Sequence, residues 1–142
     1  MPLLLEIVTP ERLAYSDEVD SVQLPGIEGE LGVLPHHAPL VSTLGIGELR
    51  IRKGGTEESF AIVGGFLQVL PTKVVVLAET ADMASEIDLE KAQEARREAE
   101  KALESRYHEG ADLSTARAAL QTALLRERVA QRRHREGPRH RG

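Results

Sequence analysis

Glycine and proline are spread so unevenly along this 142-residue chain that they divide it in two before any other property is considered. Nine of the twelve glycines and six of the seven prolines precede residue 72. After Ala81 no glycine occurs until Gly110 and no proline until Pro138. Glycine admits left-handed backbone and proline removes an amide donor, so both punctuate turns and interrupt helices. The first part must be many short segments; the second is free to form long helices.

In the first part, runs of alternating or continuous β-branched residues lie between the breaks, from Leu3–Val8 to Lys73–Ala78. Gly45 separates Leu40–Thr43 from Glu48–Lys53, and Gly64-Gly65 separates Glu58–Val63 from Phe66–Leu70. Leu49 and Ile51 alternate with Arg50 and Arg52, and Lys53-Gly54-Gly55 then turns that strand into a hairpin partner. Eight or nine short strands with no helix between them predict a β-sandwich or flattened barrel. Aromatic residues make up only 3% of the chain, so the core must be Leu, Val, Ile and Ala. That scarcity also argues against a base-stacking nucleic-acid platform.

The second part reads as helices. Ser85 followed by Asp88 has the form of an N-cap with a capping-box partner. Ala92, Ala95, Ala99 and Ala102 recur at three- and four-residue spacing, a narrow seam of small residues. A helix from Ile87 to Arg106 would span ~30 Å. Tyr107-His108-Glu109-Gly110 breaks it, and Asp112 caps a second helix with Leu113, Ala116, Leu120 and Ala123 or Leu124 on one face. The expected product is an antiparallel helical hairpin. Methyl-sized contacts stabilise little, so the hairpin should move unless something clamps it.

Charge follows the same division. Residues 1–85 carry five Lys/Arg against twelve Asp/Glu, whereas residues 126–142 carry seven Arg against two Glu. The expected organisation is a β-sandwich over 1–84, a helical hairpin over 85–136 and a disordered basic tail over 137–142. The longest apolar stretch, Val74–Ala78, is far short of the ~20 residues of a membrane helix. The run Leu3–Leu5 lacks a preceding basic region, so no signal peptide is expected. Any membrane association should be through partners.

Chemistry finds little purchase. Cysteine is absent, which removes disulfides, thiolate metal sites and thiol nucleophiles. Glu30, His36 and His37 form the one catalytic-looking cluster, but adjacent histidines in an extended stretch point to opposite faces and no third ligand follows at metal spacing. No GxSxG, GxxxxGK or GxGxxG motif occurs. The arginines Arg126, Arg128, Arg132, Arg133, Arg135, Arg139 and Arg141 admit three readings: a solvated helix end, a dock for an acidic protein surface, or a nucleic-acid contact. No groove-reading motif accompanies the last.

The stretch GELGVLPHHAPLVSTLGIGELRI, the box Gly64-Gly65-Phe66-Leu67-Gln68-Val69, and SEIDLEKAQEA at the start of the helices together resemble the epsilon subunit family of bacterial F-type ATP synthases. The resemblance runs from about Leu4 to Val129. It implies a non-catalytic rotor subunit of the central stalk of a proton-translocating enzyme, on the cytoplasmic face of the cell membrane. The implied partners are the gamma subunit, the c-ring and the catalytic alpha and beta subunits. It also implies a hairpin that extends to inhibit ATP hydrolysis. Glu30 matches the glutamate of the loop facing the c-ring, and His37 the histidine near the gamma subunit. Where the family usually has Pro-Gly-His, this chain has Pro35-His36-His37; a positive φ at that position would strain His36.

Some members bind ATP as a regulatory ligand through an I/L-D-x-x-R-A motif, matched here by Ile87, Asp88, Lys91 and Ala92, with Arg128 matching a second-helix arginine. Lys91 replaces the motif arginine and lacks its planar fork, so weak binding at most is expected, with no other cofactor. The alternatives are a stand-alone sandwich module with a basic helical tail, and a metal-dependent hydrolase using Glu30, His36 and His37.

Overall fold

A computed structural model describes residues 3–110 and 112–136, with the side chains of 134–136 left aside. The chain forms two compact units that divide between Met83 and Ala84. Each is described by itself.

The first unit contains seven strands: β1 (Leu3–Val8), β2 (Leu13–Val19), β3 (Ser21–Gly26), β4 (Gly29–Val33), β5 (Leu40–Lys53), β6 (Thr56–Leu70) and β7 (Lys73–Met83). They form one sheet in the order β2-β1-β7-β6-β5-β3-β4. All pairs are antiparallel except β1 with β7. The sheet folds over on itself, because all seven strands contribute to a single buried cluster. Tyr15 of β2 meets Phe60 of β6 edge-to-face at 5.7 Å, although two strands separate them in the sheet order. An ion pair between Lys53 and Asp17 joins β5 to β2 in the same way. This is the sandwich expected from the sequence.

The strand count differs, for a physical reason. Gly45 and Gly64-Gly65 do not end strands; β5 and β6 pass through them, paired from Leu40↔Val69 to Lys53↔Thr56. On both strands the buried positions change phase at this level: Leu44 and Leu67 on one side, Leu49 and Ile62 on the other. Such a bend carries strands from one layer of a sandwich to the next. Gly65 has φ of +119°, and a Cβ there would collide with the Leu77 carbonyl. At Gly47 a Cβ would lie 2.6 Å from the Pro25 Cβ, where β3 interrupts its ladder to β5. These glycines permit close approach rather than a chain reversal. Gly54 and Gly55, both at positive φ, do form the expected two-residue hairpin turn.

The second unit opens with a 3-10 turn, Ala84–Glu86, followed by α1 (Leu89–Glu109) and α2 (Ser114–Glu136). The α1 cap is Asp88, whose carboxylate accepts the Lys91 amide at 3.1 Å; Ser85 lies within the 3-10 turn and caps nothing. Tyr107–Glu109 continue the helix, which ends at Gly110 in the left-handed conformation. Asp112 accepts the Ser114 amide and hydroxyl, which holds its carboxyl below the usual carboxylate range. The seam of α1 also differs from the alanine repeat. Ala92 is buried and Arg96, Ala99 and Leu103 are half-buried, whereas Ala95 and Ala102 are exposed. Alanine reads equally well on either side of a polar helix, so its spacing alone did not fix the face. On α2, Ala116 and Ala123 are buried and Leu124 is exposed, and burial extends to Leu125, Val129 and Ala130.

Candidate functional site

Three surfaces carry the residues singled out by the sequence. The first is the loop end of the sandwich. β3 and β4 form a hairpin in which Pro25 pairs with Glu30 and Gly26 with Gly29, leaving Glu30 exposed on the terminal strand of the sheet. Beyond β4 the chain turns at Pro35-His36 rather than running extended, so the two histidines are not arranged as opposite faces of a strand. His36 has φ of +68°, and is the one non-glycine residue at positive φ among those described. Its amide donates to the Pro71 carbonyl at 2.6 Å, anchoring the loop to the β6–β7 turn. His37 is half-buried, with its Nδ1 2.8 Å from the Ala38 carbonyl oxygen. Among the described residues no group of three His, Asp or Glu could hold a metal ion. The Glu30, His36 and His37 cluster thus lacks the geometry that the hydrolase reading requires.

The second surface was missed by the sequence reading. Phe66 pairs with Thr43 of β5 and Leu77 of β7, and Leu77 with Val8 of β1. Their side chains share the outer face, where Phe66 is 59% exposed, Leu77 52% and the neighbouring Val41 70%. Ile27, whose amide donates to the Thr43 carbonyl, is also exposed, as is Leu34 beside the histidine turn. An apolar row of this kind on a water-facing sheet marks a contact surface. A signal was available: Leu67 and Val69 are the inward positions, so Phe66 must face outward.

The third surface is the helical hairpin. Ion pairing of Arg96 with Glu127 at 2.8 Å and the facing of Leu103 and Leu120 fix the antiparallel register. By that register Lys91 stands level with Arg132 and Ala95 with Arg128. Arg128 therefore lies about one turn from the level of Lys91 and about two from that of Asp88, rather than opposite them. Arg128 is exposed, Arg126, Arg132 and Arg133 are half-buried, and Arg126 and Arg132 are already engaged. The side chain of Arg135 and residues 137–142 lie outside the described residues. No described helix is long and apolar enough to cross a membrane.

Comparison with known proteins gives the same division. Residues 2–84 match the beta-sandwich domain of the ATP synthase delta/epsilon chain, and residues 85–131 match its long alpha-helix domain. Among curated proteins, the ATP synthase epsilon chain of Dehalococcoides mccartyi is 47% identical over 131 residues, covering 92% of this chain and 94% of its own. That of Herpetosiphon aurantiacus is 47% identical over 137 residues, covering 96% and 100%. Among solved structures, a chain of the Euglena gracilis mitochondrial ATP synthase, in an assembly of OSCP, F1 and c-ring, superposes with a TM-score of 0.76. It is 27% identical, and the match covers 89% of this chain and 80% of that one.

Proposed function

Because the chain belongs to the ATP synthase delta/epsilon family across both of its units, we propose that it is the epsilon-type subunit of the central stalk of a proton-translocating F-type ATP synthase. The observation that carries this is the paired domain match, in sequence order and over nearly the whole chain. Relatives matched end to end bear a subunit name, which displaces the readings as a stand-alone binding module or a metal-dependent hydrolase.

In this role the subunit performs no catalysis. It transmits torque as part of the rotor, beside the gamma subunit and the c-ring, and works at the cytoplasmic face of the bacterial cell membrane. The sandwich suits a docking part: its core is closed, its outer face offers the Val41, Phe66 and Leu77 row, and Glu30 and His37 lie at its loop end. The resemblance assigns Glu30 to the c-ring side and His37 to the gamma side. The apolar row supplies the desolvated contact that a rotor joint needs to resist shear. The hairpin suits a regulatory part. Its arginines, Arg126, Arg128, Arg132, Arg133 and Arg135, would meet the acidic segments of the catalytic alpha and beta subunits when the hairpin extends.

ATP as a regulatory ligand is disfavoured by the local geometry. The Asp88 carboxylate already holds the Lys91 amide, so the first-turn donor that would meet a phosphate is taken. Lys91 offers a point charge without the fork of arginine, and Arg128 is displaced by a turn or more. Binding weaker than micromolar, improved by Lys91→Arg, is expected in calorimetry on the isolated subunit. The experiment for the main reading is purification of the native, tagged protein. Gamma subunit, c-ring and alpha and beta subunits should accompany it, and the isolated chain should turn over no ATP. A chain that purifies alone from membranes containing intact ATP synthase would contradict it.

A further inference from the structure

The hairpin has a side chain of the wrong kind in its seam. Along α1 the buried and half-buried positions are Leu89, Ala92, Gln93, Arg96, Ala99 and Leu103, and at Arg96 a guanidinium stands in line with Ala92, Ala99 and Leu103, where a helical pair would ordinarily place an aliphatic residue. Arg96 is held from two sides. Its Nη1 lies 3.0 Å from Glu100, one turn along the same helix, and its Nε lies 2.8 Å from Glu127 on α2. The Glu127 side chain is 14% exposed and that of Arg96 26%, so the cross-helix pair is better shielded than an ordinary surface pair. Four of the six buried side chains among the described residues of the two helices are alanine.

We propose that Arg96 is the latch of the hairpin, a switch that shares its charge between Glu127 and Glu100 when the helices are together and keeps Glu100 alone when they part. The design makes closure conditional. An aliphatic residue at 96 would bind the helices through buried area that salt and neighbouring charges scarcely affect, whereas an ion pair yields to both. It also makes opening clean. When α2 leaves, Arg96 retains its i,i+4 partner and Glu127 returns to water, so no buried charge is stranded. Any acidic surface that engages α2, or any cation that reaches Glu127, competes for the same groups. This deepens the reading of the hairpin as a regulatory arm and rests on that reading only for its consequence in the enzyme.

The test uses the full isolated chain. Because it contains no cysteine, Glu94→Cys and Gln131→Cys, both exposed and far from the connecting loop, accept a pair of spin labels without interference. Pulsed electron resonance then gives the populations of short and long distances. Arg96→Gln and Glu127→Gln should each lower the closed-to-open ratio roughly three- to tenfold. The double variant should fall no further than either single one, and Glu100→Gln should leave the ratio within about twofold. Raising salt to 1 M should open the wild type and leave Glu127→Gln unchanged. Helix content by circular dichroism separates opening from unfolding of the helices. Unchanged distance populations in both single variants, or effects that simply add in the double variant, would overturn the latch. Neither result bears on whether the chain purifies with a gamma subunit, so the two readings fail separately.

Discussion

The sandwich and the hairpin are stabilised by opposite means. In the sandwich, eighteen buried side chains from all seven strands meet in one apolar cluster, and each large one contributes ~1.5–3 kcal/mol relative to exposure. In the hairpin, α1 buries only Ala92 and places Arg96 in its seam, while the larger buried side chains, Leu125 and Val129, belong to α2. A closed apolar core resists deformation and suits a part that must hold its shape under torque. A hairpin seam with mostly small buried residues, a few leucines and a cross-helix ion pair opens at less cost than such a core and suits a part that changes state. The change from one kind of packing to the other falls between Met83 and Ala84.

The comparison is broken most easily in the core. Phe60→Ala removes the largest fully buried side chain and its edge contact with Tyr15, and should cost about 3–5 kcal/mol in denaturant unfolding of the sandwich. The matching truncation in the hairpin, Leu103→Ala, should cost no more than about 1 kcal/mol and leave the sandwich transition in place. Equal losses would mean that the two parts share one cooperative core.

The second prediction concerns the arm alone. Each exposed arginine pair contributes only ~0.2–1 kcal/mol, but several together can shift the closed and extended hairpins about tenfold. Replacing Arg126, Arg128, Arg132, Arg133 and Arg135 by alanine should therefore raise ATP hydrolysis by the assembled enzyme severalfold at low salt and leave synthesis largely intact. The difference should shrink at high salt. A variant that hydrolyses no faster than the wild type would show these arginines to be a solvated helix end.

A third prediction sharpens the docking end. His36 occupies left-handed backbone, which costs a non-glycine residue ~1–2 kcal/mol. His36→Gly should recover about 1 kcal/mol of sandwich stability, read as a rise in melting temperature, without weakening assembly. Destabilisation would mean that the histidine ring makes contacts worth more than the strain.

The smallest effect is electrostatic. The side-chain hydrogen bond from Lys53, then the Glu18 amide, hold the Asp17 carboxyl below its ordinary value of 3.8. A carboxylate with a depressed folded pKa adds stability that is complete above its unfolded pKa and is lost as pH falls through the folded one. The sandwich should thus lose a small increment below about pH 4, and Asp17→Asn should flatten that part of the pH profile. The pair is exposed, so the increment is modest.

Much of this was legible in the residues because apolar spacing and turn chemistry are local. Leu49 and Ile51 alternating with arginines gave a strand, and Gly54-Gly55 gave its turn. Glycine was the ambiguous letter: Gly45 and Gly64-Gly65 lie inside long strands, and at Gly65, as at Gly47, the absent Cβ leaves room for a neighbouring strand, which no local spacing announces. Alanine was ambiguous for another reason, since four alanines on a charged helix do not state which side is covered. The Val41, Phe66 and Leu77 row comes from three strands and exists only once they pair. The Arg96 and Glu127 pair, thirty-one positions apart, likewise needs the hairpin register.

The central claim, a sandwich that docks and a hairpin that regulates, is tested most directly by assembling the enzyme in membrane vesicles with a chain that ends at residue 84. Coupled ATP synthesis should persist at a rate within about twofold of the full-length subunit, while ATP hydrolysis rises. Failure of the shortened chain to assemble, or hydrolysis at the full-length rate in an enzyme that has assembled it, would contradict the account.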